Sequence, residues 1–114
     1  MVNPADHVDV DALGELKDIM EDEFDVLIDT FVADSEAKIT TLAEVIAAAD
    51  ADELRKVAHS LKGSSSNVCA AQFSEFARQL EHMGKEGTTE GAADVFEQLK
   101  AEFSKVVDTL RNHI

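Results

Sequence analysis

A chain of 114 residues, 45% hydrophobic and 30% charged, is long enough to bury one core and too short for two. Its net charge of −14 argues against nucleic acid or an anionic membrane surface as partner, because both would repel it. The longest apolar run, Val45 to Ala49, is far below the roughly 18 residues of a membrane span, and the lone Cys69 excludes an internal disulfide and a cysteine-based zinc site. With no basic-then-apolar leader, the expectation is one soluble cytoplasmic domain over residues 1–114.

In chain order, residues 1–8 read as a flexible polar leader that holds the only proline, Pro4. A short helix is predicted from about Asp9 to Met20, burying Val10, Leu13, Leu16 and either Ile19 or Met20. The acids Glu21, Asp22 and Glu23 suit the first turn of a second helix, where carboxylates meet the positive end of the helix dipole. Phe24, Leu27, Ile28, Phe31, Ser35, Ile39, Leu42, Val45, Ile46 and Ala49 keep a three-four spacing, which predicts the longest core helix.

Asp50 and Glu53 have capping-box spacing and should start a third helix, weakening near Asn67, Val68 and Cys69. A fourth helix from about Ala70 to Gly84 would bury Phe73, Phe76, Ala77, Leu80 and Met83, with Gly84 and Gly87 bracketing its end. Thr88 or Thr89 can cap a fifth, burying Val95, Phe96, Leu99, Phe103, Val106 and Leu110. No segment alternates with period two. The predicted class is all-α: an antiparallel up-and-down four-helix bundle with an additional short N-terminal helix across one end.

The third helix places Gly63 and three serines, Ser64 to Ser66, where Gly costs about 1 kcal/mol against Ala. At roughly 100° per residue, Leu54, Val57, Ala58, Leu61, Ser65 and Val68 share one face. Arg55, Lys56, His59, Lys62, Gly63 and Ser66 share the other, within an arc of about 120°. His59 is therefore predicted to face water beside cations. Of the 24 acidic residues none lies between Leu54 and Ser74, so an acidic chain keeps one neutral-to-basic window. A packed helix pair with fewer charges would explain that blandly; a partner presenting negative charge explains why the cations sit on the exposed arc.

An exposed imidazole with an unperturbed pKa of roughly 6.5 can serve as nucleophile, base or metal ligand. Metal is disfavoured, because His7, His82 and His113 lie at the wrong spacing and no His-Glu-x-x-His or Glu-x-x-His pattern occurs. Ser60 has no nucleophile turn, and no Gly-rich phosphate loop exists for ATP. A phosphate-accepting histidine accounts for its neighbours. Phosphorylation adds close to two negative charges, Lys62 lies one turn on to offset them, and Gly63 leaves room for a second protein.

The run Ala58-His59-Ser60-Leu61-Lys62-Gly63-Ser64, mid-helix in a helical chain of this length, resembles the histidine-containing phosphotransfer domain. It is similar to the free-standing bacterial members that act downstream of hybrid sensor kinases. The segments Phe31-Val32-Ala33-Asp34-Ser35 and Arg78-Gln79-Leu80-Glu81 add to that likeness. The resemblance implies a phosphorelay carrier with no autokinase activity and no bound cofactor. A receiver domain would supply the acidic pocket and Mg²⁺, and the phosphoryl group would pass from one receiver aspartate to His59 and on to another.

By the same likeness Lys62 stabilises the phosphate, Gly63 gives access, and Glu81 orients the ring. Arg55, Lys56 and Ser66, on the histidine's face, are candidates for partner docking. Cys69 stands where the family usually has Gly, which reads as a packing adjustment; the alternative is a reactive thiol. The chain is expected to be a monomer, since no second apolar stripe shows on the long helices. The rival function is an acidic helical adaptor that docks a signalling partner through the same patch and never carries phosphate.

Overall fold

The three-four spacing of apolar residues produces five helices in the computed structural model, which describes residues 7–112. They are α1 (Val10–Met20), α2 (Glu23–Ala47), α3 (Ala51–Asn67), α4 (Ala71–Lys85) and α5 (Ala92–Asn112), with no strand among the described residues. α2 packs against α3 and α5, and α4 packs against the same two, which closes a four-helix ring. The short links at 48–50, 68–70 and 86–91 make successive helices antiparallel. α1 lies against α2 and adds Leu13 to the core.

The centre of the bundle is aromatic. Phe31 of α2, Phe73 of α4 and Phe103 of α5 form a triangle with centroid separations of 6.2, 6.3 and 5.5 Å. Such ring pairs add about 0.5–1.5 kcal/mol each beyond the area they bury. From α3, Leu54, Ala58 and Leu61 complete the core, and their spacing turns His59 outward.

Three helices end in the same hydrogen-bonded motif, and two of them do so without glycine. After α4, Gly87 takes φ +79°, its N–H donates to Gly84 O at 3.0 Å, and Thr88 N–H donates to Met83 O at 3.1 Å. After α2, Ala49 takes φ +54° while Ala49 N–H bonds Ile46 O and Asp50 N–H bonds Val45 O. After α3, Cys69 takes φ +59° with matching bonds from Cys69 N–H to Ser66 O and from Ala70 N–H to Ser65 O. This is the Schellman pattern, which satisfies carbonyls the helix leaves orphaned. A side chain in that left-handed region costs about 1–2 kcal/mol, so the Cys69 position favours Gly for a backbone reason.

Several expectations are corrected here. Ala49 lies beyond α2 and is exposed, not core. Only half of the capping box forms: Glu53 N–H donates to Asp50 Oδ1 at 3.1 Å, but Asp50 N–H is already taken by Val45 O. Neither threonine caps α5 by its side chain. Thr88 Oγ1 accepts from Glu90 N–H, Thr89 bonds Ala92 N–H through its carbonyl, and the helix starts after Gly91 at φ +81°. Met20 packs on the core while Ile19 is 79% exposed.

The flexible leader is also too long as predicted. Val8 is only 1% exposed, and His7 Nδ1 lies 2.7 Å from Glu102 Oε2, a buried α5 carboxylate. Asp9 N–H donates to Cys69 O, tying this segment to the α3–α4 link, and its side chain caps α1 by accepting from Ala12 N–H. Residues 1–6 and His113 lie outside the described residues.

Gly84 does not end α4; it lies in the last turn, buried where α4 crosses α3. A Cβ there would sit 2.6 Å from both Ala51 O and Arg55 N, backbone atoms that cannot swing aside. Gly84→Ala is therefore expected to destabilise the fold by about 1–3 kcal/mol despite its better helix propensity. Urea unfolding that showed the variant equal to or more stable than the parent would contradict this close approach.

Candidate functional site

Leu54, Ala58, Leu61 and Ser65 bury one stripe of α3, so the opposite stripe must carry His59, Lys62 and Gly63 at the surface. The His59 side chain is 65% exposed and Lys62 34%. A Cβ built on Gly63 would meet no atom within 4 Å, so the surface beside the imidazole is open. These three residues share one face, as the helical period requires.

Glu81 of α4 comes to them across the helix pair. Its Oε2 lies 2.5 Å from His59 Nδ1, and its Oε1 accepts from Lys62 Nζ at 2.6 Å. The Lys62 hydrogen bond is the largest influence on Glu81 and holds its carboxyl below the usual carboxylate range; burial opposes this and the His59 bond reinforces it. An ionised carboxylate can only accept, so Nδ1 carries the proton and the neutral ring keeps its lone pair on Nε2. A single carboxylate thus selects the tautomer and tethers the ammonium. The arrangement offers a nucleophilic nitrogen beside a cation.

The serine run is used by the helix itself. The Lys62 carbonyl accepts from Ser66 Oγ at 3.0 Å and from Ser74 Oγ of α4 at 3.1 Å, while Ser65 Oγ donates to Leu61 O at 2.7 Å. Ser66 and Ser74 hydroxyls also lie 3.2 Å apart. These bonds fix the backbone of Lys62 to α4, the helix that brings Glu81. Small hydroxyls here hold the α3–α4 seam, and Ser66 remains exposed beside it.

Of the candidate docking residues, Arg55 and Lys56 are not bare cations. Arg55 Nη2 lies 3.4 Å from Asp52 Oδ1, and Lys56 Nζ lies 3.2 Å from Asp52 Oδ2 and 3.5 Å from Glu53 Oε1. The Asp52 contact raises the Lys56 ammonium and Lys56 in turn lowers the Asp52 carboxyl. The acid-free window of the sequence therefore does not amount to a bare basic patch. What the sequence reading missed lies on α4: Arg78, His82 and Lys85 line a small depression of about 190 Å³ with Lys62 and Glu81. Their three- and four-residue spacing was the available signal.

The Cys69 thiol is pushed up, first by burial and then by the charge of Asp9, which speaks against an activated nucleophile. Among the described residues no group of three or more histidine, cysteine or carboxylate side chains could hold a metal ion. Among the described residues no helix is long and apolar enough to cross a membrane.

The Hpt domain family model matches residues 26–109, a span that includes His59, Lys62, Gly63 and Glu81. The chain belongs to the Hpt domain family. It is similar to histidine-containing phosphotransfer protein B from Pseudomonas aeruginosa PAO1, with 39% identity over 92% of this chain and 91% of that one, and a TM-score of 0.88. No curated protein matches it. Hpt proteins are phosphocarriers of two-component phosphorelays that work with receiver domains, and this chain has the all-α Hpt fold of four helices plus an N-terminal one.

Because the Glu81 carboxyl is lowered in the folded Hpt domain, its ionic contribution to stability is present above the ordinary unfolded value near 4.5 and is lost as pH falls through the lower folded value. The stability gap between the parent and Glu81→Gln should accordingly shrink as pH falls below about 5. Thermal melts from about pH 5 downward check this, and a gap that stayed constant or widened over that range would refute the assigned charge state.

Proposed function

We propose that this Hpt domain is a phosphorelay shuttle in which His59 accepts a phosphoryl group from the aspartyl phosphate of one receiver domain and passes it to the aspartate of another. The observation that carries the reading is the His59 ring itself, solvent-facing and held through Nδ1 by Glu81, with Nε2 left as the nucleophile. Family membership supports the class of chemistry.

In the forward step the Nε2 lone pair attacks phosphorus and a P–N bond forms. The P–O bond to the receiver breaks, and its electron pair leaves on the aspartate carboxylate. The ring keeps its Nδ1 proton and becomes cationic, which the Glu81 carboxylate offsets. The same protonated ring is a good leaving group when a second receiver aspartate attacks, so the step runs in both directions. Lys62 partly neutralises the phosphoryl oxygens, and Gly63 admits the partner's active site.

Mg²⁺ belongs to the receiver in this reading, and the Hpt chain binds no cofactor and has no autokinase activity. Arg55, Lys56 and Ser66 form part of the docking face, with their carboxylate partners free to exchange for the receiver's. The protein acts as a cytoplasmic monomer.

Incubation with a phosphorylated receiver should transfer acid-labile, alkali-stable label to the parent protein and none to His59→Gln. Transfer from no cognate receiver, with both proteins folded, would favour an adaptor that never carries phosphate. Gly63→Ala separates access from stability. It should raise stability by up to about 1 kcal/mol, because the new methyl group meets nothing. It should also slow transfer by roughly tenfold, the equivalent of about 1.4 kcal/mol in the barrier. A variant that is stabilised and transfers at the parental rate would remove Gly63 from the mechanism.

A further inference from the structure

Arg78 lies one turn before Glu81 and one turn after Glu75 on α4, within reach of either carboxylate. Its Nε and Nη2 donate to Glu75 at 2.7 and 2.5 Å, in a pair exposed to solvent. Such pairs are weak and exchange readily. Two depressions flank the site: the small one that also holds Glu81, His82 and Lys85, and a groove of about 400 Å³ lined by residues that include Ser66, Ser74 and Glu75. Lys62 and Arg78 are the two residues common to both.

The charge balance at Lys62 changes when His59 is phosphorylated. Before transfer, one ammonium faces one carboxylate at 2.6 Å. Afterwards Lys62 and the now cationic ring together face Glu81 and a phosphoryl group of nearly two negative charges, which leaves about one negative charge unmatched. A further cation is drawn in, or Lys62 is divided between two anions. A guanidinium can do so, because its planar fork grips a carboxylate through two parallel bonds.

We propose that Arg78 is a positioning residue for the phosphorylated state: on phosphorylation of His59 its guanidinium turns from Glu75 to Glu81 and releases Lys62 to the phosphoryl oxygens. The inference rests on His59 as the phosphoacceptor. Glu75 holds the guanidinium in reserve while the ring is bare. The Arg78 guanidinium is held up chiefly by its hydrogen bonds to Glu75, with a smaller contribution from the Glu81 charge, so the second carboxylate is already felt at this distance.

The test uses phosphoramidate, a small phosphoryl donor that labels imidazoles without a receiver, so it reads independently of the relay. Arg78→Gln should slow labelling at His59 by about two- to fivefold, and Arg78→Lys should restore part of the loss. Glu75→Gln, which frees the guanidinium, should speed labelling by a similar factor. Both glutamine variants break the same ion pair, so a structural role would give them effects of the same sign. Matching charge changes on the exposed Glu97–Lys100 pair of α5 should alter the rate less. In the parent, the Arg78 Nε–H resonance should move on labelling and stay fixed in His59→Gln given the same treatment.

Equal slowing by Arg78→Gln and Glu75→Gln overturns the proposal. So does a fixed Arg78 resonance, an α5 pair with the same effect, or a parent His59 that takes no label. If labelling behaves as expected but no receiver transfers phosphate, the relay reading fails while the role of Arg78 on phosphohistidine stands.

Discussion

The carboxylate of Glu81 is the one contact on which the geometry of this site depends. Two oxygens on one side chain reach two residues of the neighbouring helix and settle both the protonated nitrogen of His59 and the resting place of the Lys62 ammonium. That reach exists only because α4 lies very close to α3. Gly84 permits the contact at one end of the pair, where a methyl group would strike backbone. At the other end, Ser74 and Ser66 converge on the Lys62 carbonyl. The seam is thus clamped on both sides of Glu81, and the orientation of an otherwise exposed imidazole follows from backbone packing.

The position of His59 was legible from helical period alone. Once Leu54, Ala58 and Leu61 are assigned to the core, a residue at 59 has to face water, and Lys62 and Gly63 follow it around the same turn. The helix count and class were legible for the same reason. The role of α4 was not, because a single helix's pattern says which face is buried and not which neighbour it meets. Glu81 was named through family likeness; Arg78 entered only as part of that likeness and His82 only as a rejected metal ligand, so their place beside Glu81 with Lys85 was not foreseen.

The boundaries failed where backbone bonds outcompeted side-chain signals. Asp50 carries the right spacing for a full capping box, yet its N–H belongs to the preceding helix end, and no inspection of residues 50–53 reveals that. Cys69 and Ala49 hold left-handed positions that the sequence marks with no glycine. Glu102 is different. It stands between Leu99 and Val106 on the inward face of α5, so the period placed it in the core and only its charge argued otherwise; His7 resolves the conflict by pairing with it.

The charge arrangement around His59 bears on how a shuttle can bind and still let go. Asp52 and Glu53 lie just outside the acid-free window in sequence, but one helical turn brings them against Arg55 and Lys56. Each cation on this face therefore already has a carboxylate, and those of Arg55 and Lys56 are held in weak, solvent-exposed pairs. A partner that presents its own carboxylates would exchange one weak pair for another, with little net gain in affinity. The long-range field of a −14 chain adds repulsion toward any acidic partner. On the relay reading, complex lifetime is then set by short-range fit around His59 and by the phosphoryl group itself, and once that group has moved nothing electrostatic retains the partner.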